Sequence, residues 1–242
     1  MAAIRPHEPK QLQPKELRMP AKDGVGRIVS VRVGLVVRHP RPKWDKASGT
    51  TWASAYVKTP VSGAVKVGPE GLEGDQQYDR RHHGGPDMAV LAYADSHYED
   101  WRDELDIAEM GPGAFGENLT VEGFDESSVC IGDVWGAGEV RLQVASPRGP
   151  CLNISRRWER QDLLEKVLAN GRGGWYLRVL QPGSLAARQP VRRIEQPNPD
   201  WTVERVFRLR YDEGRDMKAV AKLAKVKALA EAWRQRFGGL GG

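Results

Sequence analysis

Short runs with an apolar residue at every second position recur through the middle of the chain, and most of them end at glycine or proline. The first begins after Gly26, where the alternation runs from Val29 to Leu35. A period of two is typical of a β-strand with one buried face. The pattern therefore predicts a mainly β fold, a barrel or a sandwich, with a few inserted helices.

Further elements follow from the same periodicities. Strands are predicted at residues 51–57, 63–67, 118–121, 133–136, 139–145, 175–180 and 191–194. Asp87 is a suitable N-cap for a helix whose apolar repeat starts at Val90 and continues to Trp101. Residues 162–169 form another predicted helix, which Asn170-Gly171 would end.

Proline and periodicity divide the chain into three parts. Residues 1–25 hold four prolines without a repeat and are predicted to form a flexible N-terminal arm. Residues 26–196 form the β-rich domain. From residue 197 onward, helical patterns at 203–211, 217–224 and 227–237 predict a small three-helix bundle that ends with the chain at residue 242. A bundle of this size cannot bury a sufficient core by itself. It should therefore dock on the β domain or on a partner.

Only the two ends of the chain have a net positive charge. Residues 51–200 carry 16 Lys and Arg against 23 Asp and Glu, whereas residues 1–50 and 201–242 have net charges of +7 and +5. An acidic body disfavours nucleic acid as a partner. No apolar run could cross a bilayer, and the polar, proline-broken start is not a signal peptide, so we expect a cytoplasmic protein without membrane contact.

Two cysteines are too few for a disulfide framework, a four-cysteine zinc site or an iron–sulfur cluster. Cys130 has apolar neighbours and is expected to be buried and inert. Cys151 follows a predicted strand end and Pro150, which can open a helix. In the first helical turn beside Arg148, its thiolate would be stabilised and could be a nucleophile, a redox centre or a soft-metal ligand. A packed structural cysteine is the alternative.

The segment at residues 75–85 reads DQQYDRRHHGG and leads towards a predicted helix start. Such a row of hydrogen-bond donors suits a phosphate or another anion. A solvated charged loop is the preferred alternative for this segment taken alone. Adjacent histidines rarely bind one ion and no third ligand follows at zinc spacing, so a zinc site is disfavoured.

Lys58 ends a predicted strand and could reach an anion from the rim of a barrel, although an isolated lysine is more often simply exposed. Phe115-Gly116-Glu117-Asn118 forms a predicted turn into a strand. The chain has no Walker loop, no dinucleotide-binding GxGxxG after a strand and no GxSxG elbow.

Six motifs occur in a characteristic order. They are Lys58-Thr59-Pro60-Val61-Ser62-Gly63, Gly71-Leu72-Glu73-Gly74-Asp75-Gln76, His82-His83-Gly84-Gly85, Phe115-Gly116-Glu117-Asn118-Leu119, Ile131-Gly132-Asp133 and Pro147-Arg148-Gly149-Pro150-Cys151. With the tail from Asn198 to Phe237, the chain resembles MOSC domain proteins of the YiiM-like subfamily over about residues 25–240. The resemblance implies a MOSC-type β-barrel followed by a three-helix extension.

MOSC domains bind the molybdenum cofactor (molybdopterin), a pyranopterin dithiolene with a terminal phosphate. The resemblance implies that Cys151 ligates molybdenum, which agrees with the preference of a soft thiolate for such a metal. The other residues that the resemblance assigns to cofactor binding are Lys58, Thr59, Arg81, His82, His83, Gly84, Gly85, Asn118 and Arg148.

Relatives of this subfamily are linked to the reduction of N-hydroxylated compounds, including hydroxylaminopurine-type base analogues. The implied reaction converts R–NHOH, two electrons and two protons into R–NH2 and water, with Cys151, His82 and His83 as catalytic residues. Either histidine could supply protons because imidazole titrates near neutral pH. No flavin, haem or iron–sulfur motif is visible, so an external reductase is the expected electron donor, with a basic end of the chain as its docking surface. A homodimer is compatible with a docked helical tail.

Two other functions stay open at this point. The chain could be a non-catalytic module that carries the cofactor or sulfur, or that contacts nucleic acid through its basic tail. The basic ends are the only feature that supports this hypothesis. A cysteine hydrolase or sulfurtransferase using Cys151 ranks last, because no acidic residue obviously orients His82 or His83 as a base.

One departure from the family is Met88, which stands where relatives commonly have lysine, so anchoring of an anion would rely on the neighbouring arginines.

Overall fold

The computed structural model of the protein describes residues 24–79 and 84–240. The strands are β1 (Val25–Val33), β2 (Val37–Pro40), β3 (Thr51–Ser54), β4 (Thr59–Pro60), β5 (Val65–Gly68), β6 (Gly71–Leu72), β7 (Val90–Ala94), β8 (Leu119–Glu122), β9 (Val134–Ala137), β10 (Val140–Pro147), β11 (Trp175–Gln181), β12 (Gly183–Leu185) and β13 (Pro190–Glu195). The helices are a 3-10 helix (Pro86–Met88), α1 (His97–Leu105), α2 (Leu152–Trp158), α3 (Leu163–Asn170), α4 (Val203–Tyr211), α5 (Met217–Leu223) and α6 (Glu231–Gly238).

Seven strands close into a barrel. Strand β1 pairs with β8 on one side and with β13 on the other, and the sheet continues from β13 through β9, β10, β11 and β7 back to β8. Strands β7 and β8 run parallel, and the other neighbours in the ring are antiparallel. The closed ring confirms the predicted mainly β fold with inserted helices.

A β-bulge in β1 changes which of its side chains face the core. The pairing with β8 shifts register between Ile28 and Ser30, and Ile28 and Val31 are both buried. The predicted alternation therefore holds for Val31, which is buried, and for Val33, which packs against the core, but it fails before the bulge, where Ile28 and not Val29 is buried. Leu35 lies beyond the strand and is 60% exposed. One inserted residue moves every following side chain to the opposite face of the sheet.

Strand β10 keeps its predicted alternation. Val140, Leu142 and Val144 are all buried, and they belong to the same core cluster as Trp135 of β9 and Trp175 of β11. Because these side chains fix the strand on the barrel, they also fix the point at which residues 148–151 leave it.

The single helix predicted from Asp87 to Trp101 is wrong. The chain forms the 3-10 helix, then β7, and only then α1. All five residues of β7 are buried between β11 and β8, so the strand is apolar on both faces. A short continuous apolar run has neither a period of two nor a period of 3.6, and only the neighbouring strands decide its conformation.

The three C-terminal helices form at the predicted places and dock on the barrel. Their buried side chains, among them Val206, Leu223 and Phe237, belong to the same core cluster as the barrel strands. Backbone hydrogen bonds join the two parts at both ends of the bundle, from Ile131 N to Trp201 O (2.9 Å) and from Ala230 N to Ala145 O (2.8 Å). The bundle therefore completes the core of the β domain.

The residues of the Ile131-Gly132-Asp133 motif form the seat of this bundle. A Cβ atom on Gly132 would lie 2.8 Å from Asn198 Nδ2 and 2.9 Å from Ala228 Cβ, and the φ of Gly132 is +89°. Only glycine fits this close approach without strain.

The predicted arm lies outside the described residues up to position 23. Within the described part of the chain, no helix is both long enough and apolar enough to cross a membrane.

Candidate functional site

A cavity of about 350 Å³ lies beside the start of α2. Its walls come from the loop after β3, from residues 76–79, from the 3-10 helix, from β11 and from residues 148–156. Its lining includes Ser54, Tyr56, Lys58, Met88, Gly116, Arg148, Cys151, Asn153, Arg156 and Tyr176. The structure thus brings Cys151, Arg148 and Lys58 to one cavity, although Lys58 is distant from the other two in sequence.

Cys151 is a free cysteine in the wall of this cavity, and it is half-buried. Its backbone is extended, with φ −133° and ψ 127°, and α2 starts at the next residue. The prediction that Pro150 opens the helix and that Cys151 lies in its first turn is therefore wrong, because the helix starts at Leu152. Cys151 is the N-cap residue, and its carbonyl accepts the hydrogen bond of Ile154 N at 3.2 Å.

Arg148 brings a buried positive charge to the same wall. Its side chain is buried, and its guanidinium carbon lies 5.5 Å from the centre of the Tyr56 ring. Burial alone would lower the pKa of Arg148, but the Tyr56 and Tyr176 hydroxyls and the Cys151 thiol outweigh it and hold the net pKa above its ordinary value. The strongest interactions of the Arg148 cation are thus with tyrosine and cysteine side chains and not with a carboxylate. Its charge is therefore suited to binding an anionic ligand.

Tyr56 is a site residue that the sequence analysis missed. Burial raises its pKa, so the phenol is neutral. Its hydroxyl interacts with the Arg148 guanidinium, but it makes no hydrogen bond of good geometry to any described residue. A buried polar atom without a partner is costly unless a ligand or water satisfies it. Tyr56 lies in a stretch predicted only as a strand, and no sequence signal distinguishes it from a packing aromatic.

Lys58 is buried, so the alternative of an ordinary exposed lysine is wrong. Its ammonium group pairs with the Asp75 carboxylate, which also accepts a hydrogen bond from Gly34 N at 2.7 Å. Burial lowers the pKa of Lys58, and Asp75 opposes this shift. Lys58 reaches the cavity wall, but its charge is balanced within the protein.

Asn118 stands behind this ion pair and is not part of the cavity lining. Its amide nitrogen donates to Asp75 Oδ2 at 2.9 Å and to Arg32 O at 3.2 Å, and its amide oxygen accepts from Leu91 N at 3.0 Å. The side chain is therefore engaged at both ends in holding the wall together, and it orients the carboxylate that binds Lys58.

The remaining predicted residues are placed as follows. Thr59 is exposed, its hydroxyl lies 3.4 Å from Val33 O, and it is not among the cavity-lining residues. Gly84 and Gly85 precede the 3-10 helix, and Gly85 has φ +92°, a conformation that favours glycine. Arg81, His82 and His83 lie outside the described residues, so their predicted roles stay predictions.

Glu117 explains why the Phe115-Gly116-Glu117-Asn118 motif has its acidic residue. Its carboxylate is fully buried and accepts several hydrogen bonds from the loop around it. The donors are the Tyr98 hydroxyl, the backbone N–H groups of Gly113 (2.5 Å) and Phe115 (3.2 Å), and Thr120 Oγ1 (2.7 Å). The carboxylate thus fixes an irregular loop that supplies Gly116 to the cavity wall.

Arg156 is a second site residue that the sequence analysis missed. It lines the cavity from α2, and its Nε donates to Asp45 Oδ2 at 2.8 Å. The backbone N–H of Ala47, together with Arg41 and Arg156, lowers the pKa of Asp45 to about 2. The ion pair ties the β2–β3 connection to the helix that follows Cys151, and no motif in the sequence announces it.

Cys130 is buried at the seat of the helical bundle, as predicted. Burial and the neighbouring Asp133 raise the pKa of its thiol to about 11. Its sulfur lies 3.4 Å from Pro199 O and from Gln196 Nε2. A protonated, covered thiol of this kind is a packing residue.

Comparison with known families matches both parts of the chain. Residues 79–192 match the model of the MOSC domain, and residues 201–238 match the model of the YiiM-like, 3-alpha helix domain. The two matches fall on the barrel and on the docked helical bundle described above.

Individual relatives span both parts. An uncharacterized protein named YflK from Bacillus subtilis is 34% identical over 197 residues, which cover 81% of this chain and 89% of that protein. A protein named reductase from Gibberella moniliformis is 34% identical over 193 residues, 76% of this chain but only 33% of that protein. The crystal structure of YiiM from Geobacillus stearothermophilus is 28% identical, covers 90% of this chain and all of its own, and superposes with a TM-score of 0.74.

Proposed function

The chain belongs to the MOSC domain family in its YiiM-like form, and from this membership we propose that it is a molybdenum cofactor-dependent oxidoreductase that reduces N-hydroxylated compounds. MOSC domains are usually cofactor-binding domains, and one relative is named a reductase. The observation that carries the proposal is the placement of the Cys151 thiol and the buried Arg148 cation in the wall of one cavity.

The residues present fit such a cofactor. Cys151 offers a soft sulfur ligand for molybdenum, and Arg148 offers a charge-assisted hydrogen-bond donor for an anionic group. The buried Tyr56 hydroxyl makes no hydrogen bond of good geometry in the described part of the chain and can donate to the same ligand. When bound, the cofactor would supply the two-electron redox chemistry of the reduction.

The protein's own contribution is binding, orientation and proton supply. The β10 strand end and the start of α2 hold Cys151, and the cation–π contact with the Tyr56 ring helps to position the Arg148 guanidinium. His82 and His83 are the proposed proton donors, since neutral imidazole and imidazolium are both populated near pH 7. An external reductase is the proposed electron source, with the basic C-terminal helices as its docking surface.

Metal analysis of Cys151→Ser tests the proposal. The variant and the wild type are purified from cells that make the cofactor, and molybdenum content and hydroxylamine reduction with a reduced viologen dye are measured. We expect the variant to lose activity and most of its molybdenum, because a hydroxyl is a much harder ligand than a thiolate. Cys130→Ala is the matched control, since it removes the other thiol away from the cavity, and it should keep both.

Other outcomes would decide against the proposal. Equal molybdenum and equal turnover in wild type and Cys151→Ser would refute the role of Cys151. Full molybdenum loading without reduction of any hydroxylamine would favour a non-catalytic carrier. A metal-independent activity that disappears on alkylation of Cys151 would favour a cysteine hydrolase or sulfurtransferase.

A further inference from the structure

Asp87 joins the cavity to the C-terminal helices. Its Oδ1 accepts two hydrogen bonds from Arg178 of β11, from Nε at 3.0 Å and from Nη2 at 2.7 Å. Its Oδ2 accepts the backbone N–H of Glu231, the first residue of α6, at 3.0 Å. Asp87 is also the middle residue of the 3-10 helix, next to Met88 in the cavity wall. One carboxylate therefore links the barrel, the cavity rim and the bundle.

Helix α6 depends on this carboxylate for its N-terminal cap. Ala230 occupies the N-cap position and has no side chain that can accept a hydrogen bond. Asp87, 144 residues earlier in the chain, accepts the N–H of Glu231, which is one of the first-turn donors that have no partner within the helix. A carboxylate at a helix N-terminus also interacts favourably with the helix dipole. The bundle and the 3-10 helix thus fix each other's position.

Arg178 makes the junction stiff because its other donors are also engaged. Its Nη1 donates to Gln143 Oε1 of β10 at 2.8 Å and to Ala228 O of the bundle at 3.0 Å. The same strand carries Tyr176 into the cavity wall. The planar guanidinium therefore binds Asp87, β10 and the bundle at the same time, in directions that its geometry fixes.

A second contact reaches the other side of the cavity. Tyr211 ends α4, and a Cβ atom on Gly149 would lie 2.8 Å from its hydroxyl oxygen. Gly149 stands between Arg148 and Cys151 in sequence. The bundle therefore packs directly on the segment that carries the two principal site residues, although no described residue of the bundle lines the cavity.

We propose that the three-helix bundle is a structural part of the site and that Asp87 is the positioning residue through which α6 fixes residues 84–88 at the rim of the cavity. The proposal deepens the proposed function, because it assigns the bundle a role in shaping that site. The positioning itself does not depend on which reaction the cavity supports.

Hydrogen exchange of the full-length protein, followed by mass spectrometry of its peptides, tests this role. Asp87→Ala removes the acceptor for Glu231 N–H and for Arg178. We expect residues 84–92 to exchange about fivefold faster or more, the factor that corresponds to a lost helix cap. The matched control is Asp216→Ala, which removes the N-cap of α5, where Asp216 accepts from Lys218 N and Ala219 N within the bundle. Relative to the change in β10, it should accelerate exchange in α5 and leave residues 84–92 unaffected.

A conservative variant separates positioning from general damage. Asp87→Asn keeps one side-chain oxygen for Glu231 N–H but places an amide NH2 group against the Arg178 donors, so it should restore only part of the protection of residues 84–92. Exchange in residues 140–147 of β10 reports global unfolding, so any acceleration there is divided out of the change at residues 84–92 in each variant. Unchanged exchange at 84–92 in Asp87→Ala, or equal acceleration there in Asp216→Ala, would overturn the proposal. Absence of hydroxylamine reduction in every protein, wild type included, would contradict the proposed function and leave the exchange result valid.

Discussion

Arg148 is the residue whose chemistry most directly requires a ligand, because its charge is buried without a carboxylate among its strongest partners. We expect Arg148→Lys to keep the charge but to lose the planar group in contact with the Tyr56 ring, and to weaken cofactor retention by on the order of tenfold. Molybdenum per mole of purified protein measures this. Arg205→Lys is the control, since Arg205 also makes a cation–π contact with an aromatic ring, that of Trp201, outside the cavity. Equal loss of molybdenum in the two variants would show that the effect is not local.

Asp133 gives the fold a pH dependence of known sign. Its carboxyl group is buried beneath the bundle, Oδ1 has no partner among the described residues, and burial raises the pKa to about 6. Between about pH 4 and pH 6 the unfolded chain releases this proton while the folded protein keeps it, so the free energy of unfolding falls as the pH rises.

The variant Asp133→Asn removes this titration. We expect the free energy of unfolding of the variant, relative to wild type, to increase between pH 4 and pH 6 and to level off above pH 6. Denaturant titrations at four pH values measure the difference. Asp212→Asn, a change at an exposed aspartate, should give a difference that does not vary with pH in this way. A flat difference for Asp133→Asn would show that the carboxyl group does not titrate in this window.

Single residues also mark the limit of what the sequence could predict about the site. Cys151 and Arg148 could be predicted as candidate site residues, because the end of a strand, a proline and the cysteine follow one another in the sequence. The burial of Lys58 could not be predicted, because its partner Asp75 comes from a different loop and the pair forms only when the barrel closes. Tyr56 and Arg156 gave no signal, since a tyrosine in a strand and an arginine on a helix are ordinary residues until the cavity forms around them.

At the scale of elements, strands and helices with a regular apolar repeat could be predicted from the sequence, whereas a strand buried on both faces and a β-bulge could not. Strand β10 kept its alternation, and α3 ended at Gly171 in the left-handed conformation, as Asn170-Gly171 predicted. Strand β7 was mistaken for a helix because its burial on both faces depends on its neighbours. The bulge in β1 was missed because the register is set by pairing with β8 and not by β1 alone.

The irregular loop at residues 111–118 depends on one buried side chain, Glu117. We expect Glu117→Gln to lower the free energy of unfolding by about 2–4 kcal/mol, because one acceptor oxygen becomes an amide that faces buried donors. Denaturant unfolding monitored by circular dichroism measures it. Glu122→Gln is the control, because Glu122 is an exposed partner of Arg27 at 2.5 Å and its loss should cost less than about 1 kcal/mol. Similar losses in both variants would contradict the anchoring role of Glu117.

At the scale of the whole molecule, composition predicted that a small helical tail must dock, but not where. The seat is formed by residues 129–133 and by Ala145, which lie in different turns and strands and come together only in the closed barrel. The shared core has a consequence for unfolding. Two parts that bury one continuous cluster of side chains should lose their structure together.

Phe237 on α6 tests this cooperativity, since it is almost fully buried in the cluster shared with the barrel. We expect Phe237→Ala to lower the free energy of unfolding by about 3–5 kcal/mol through the cavity that it leaves. Because barrel and bundle unfold as one unit, exchange protection in β10 should fall by the same free energy as protection in α4. Native-state hydrogen exchange of the two peptides measures both losses. A loss confined to α4–α6, with β10 protected as in the wild type, would show instead that the bundle opens independently of the barrel and that the site keeps its form without it.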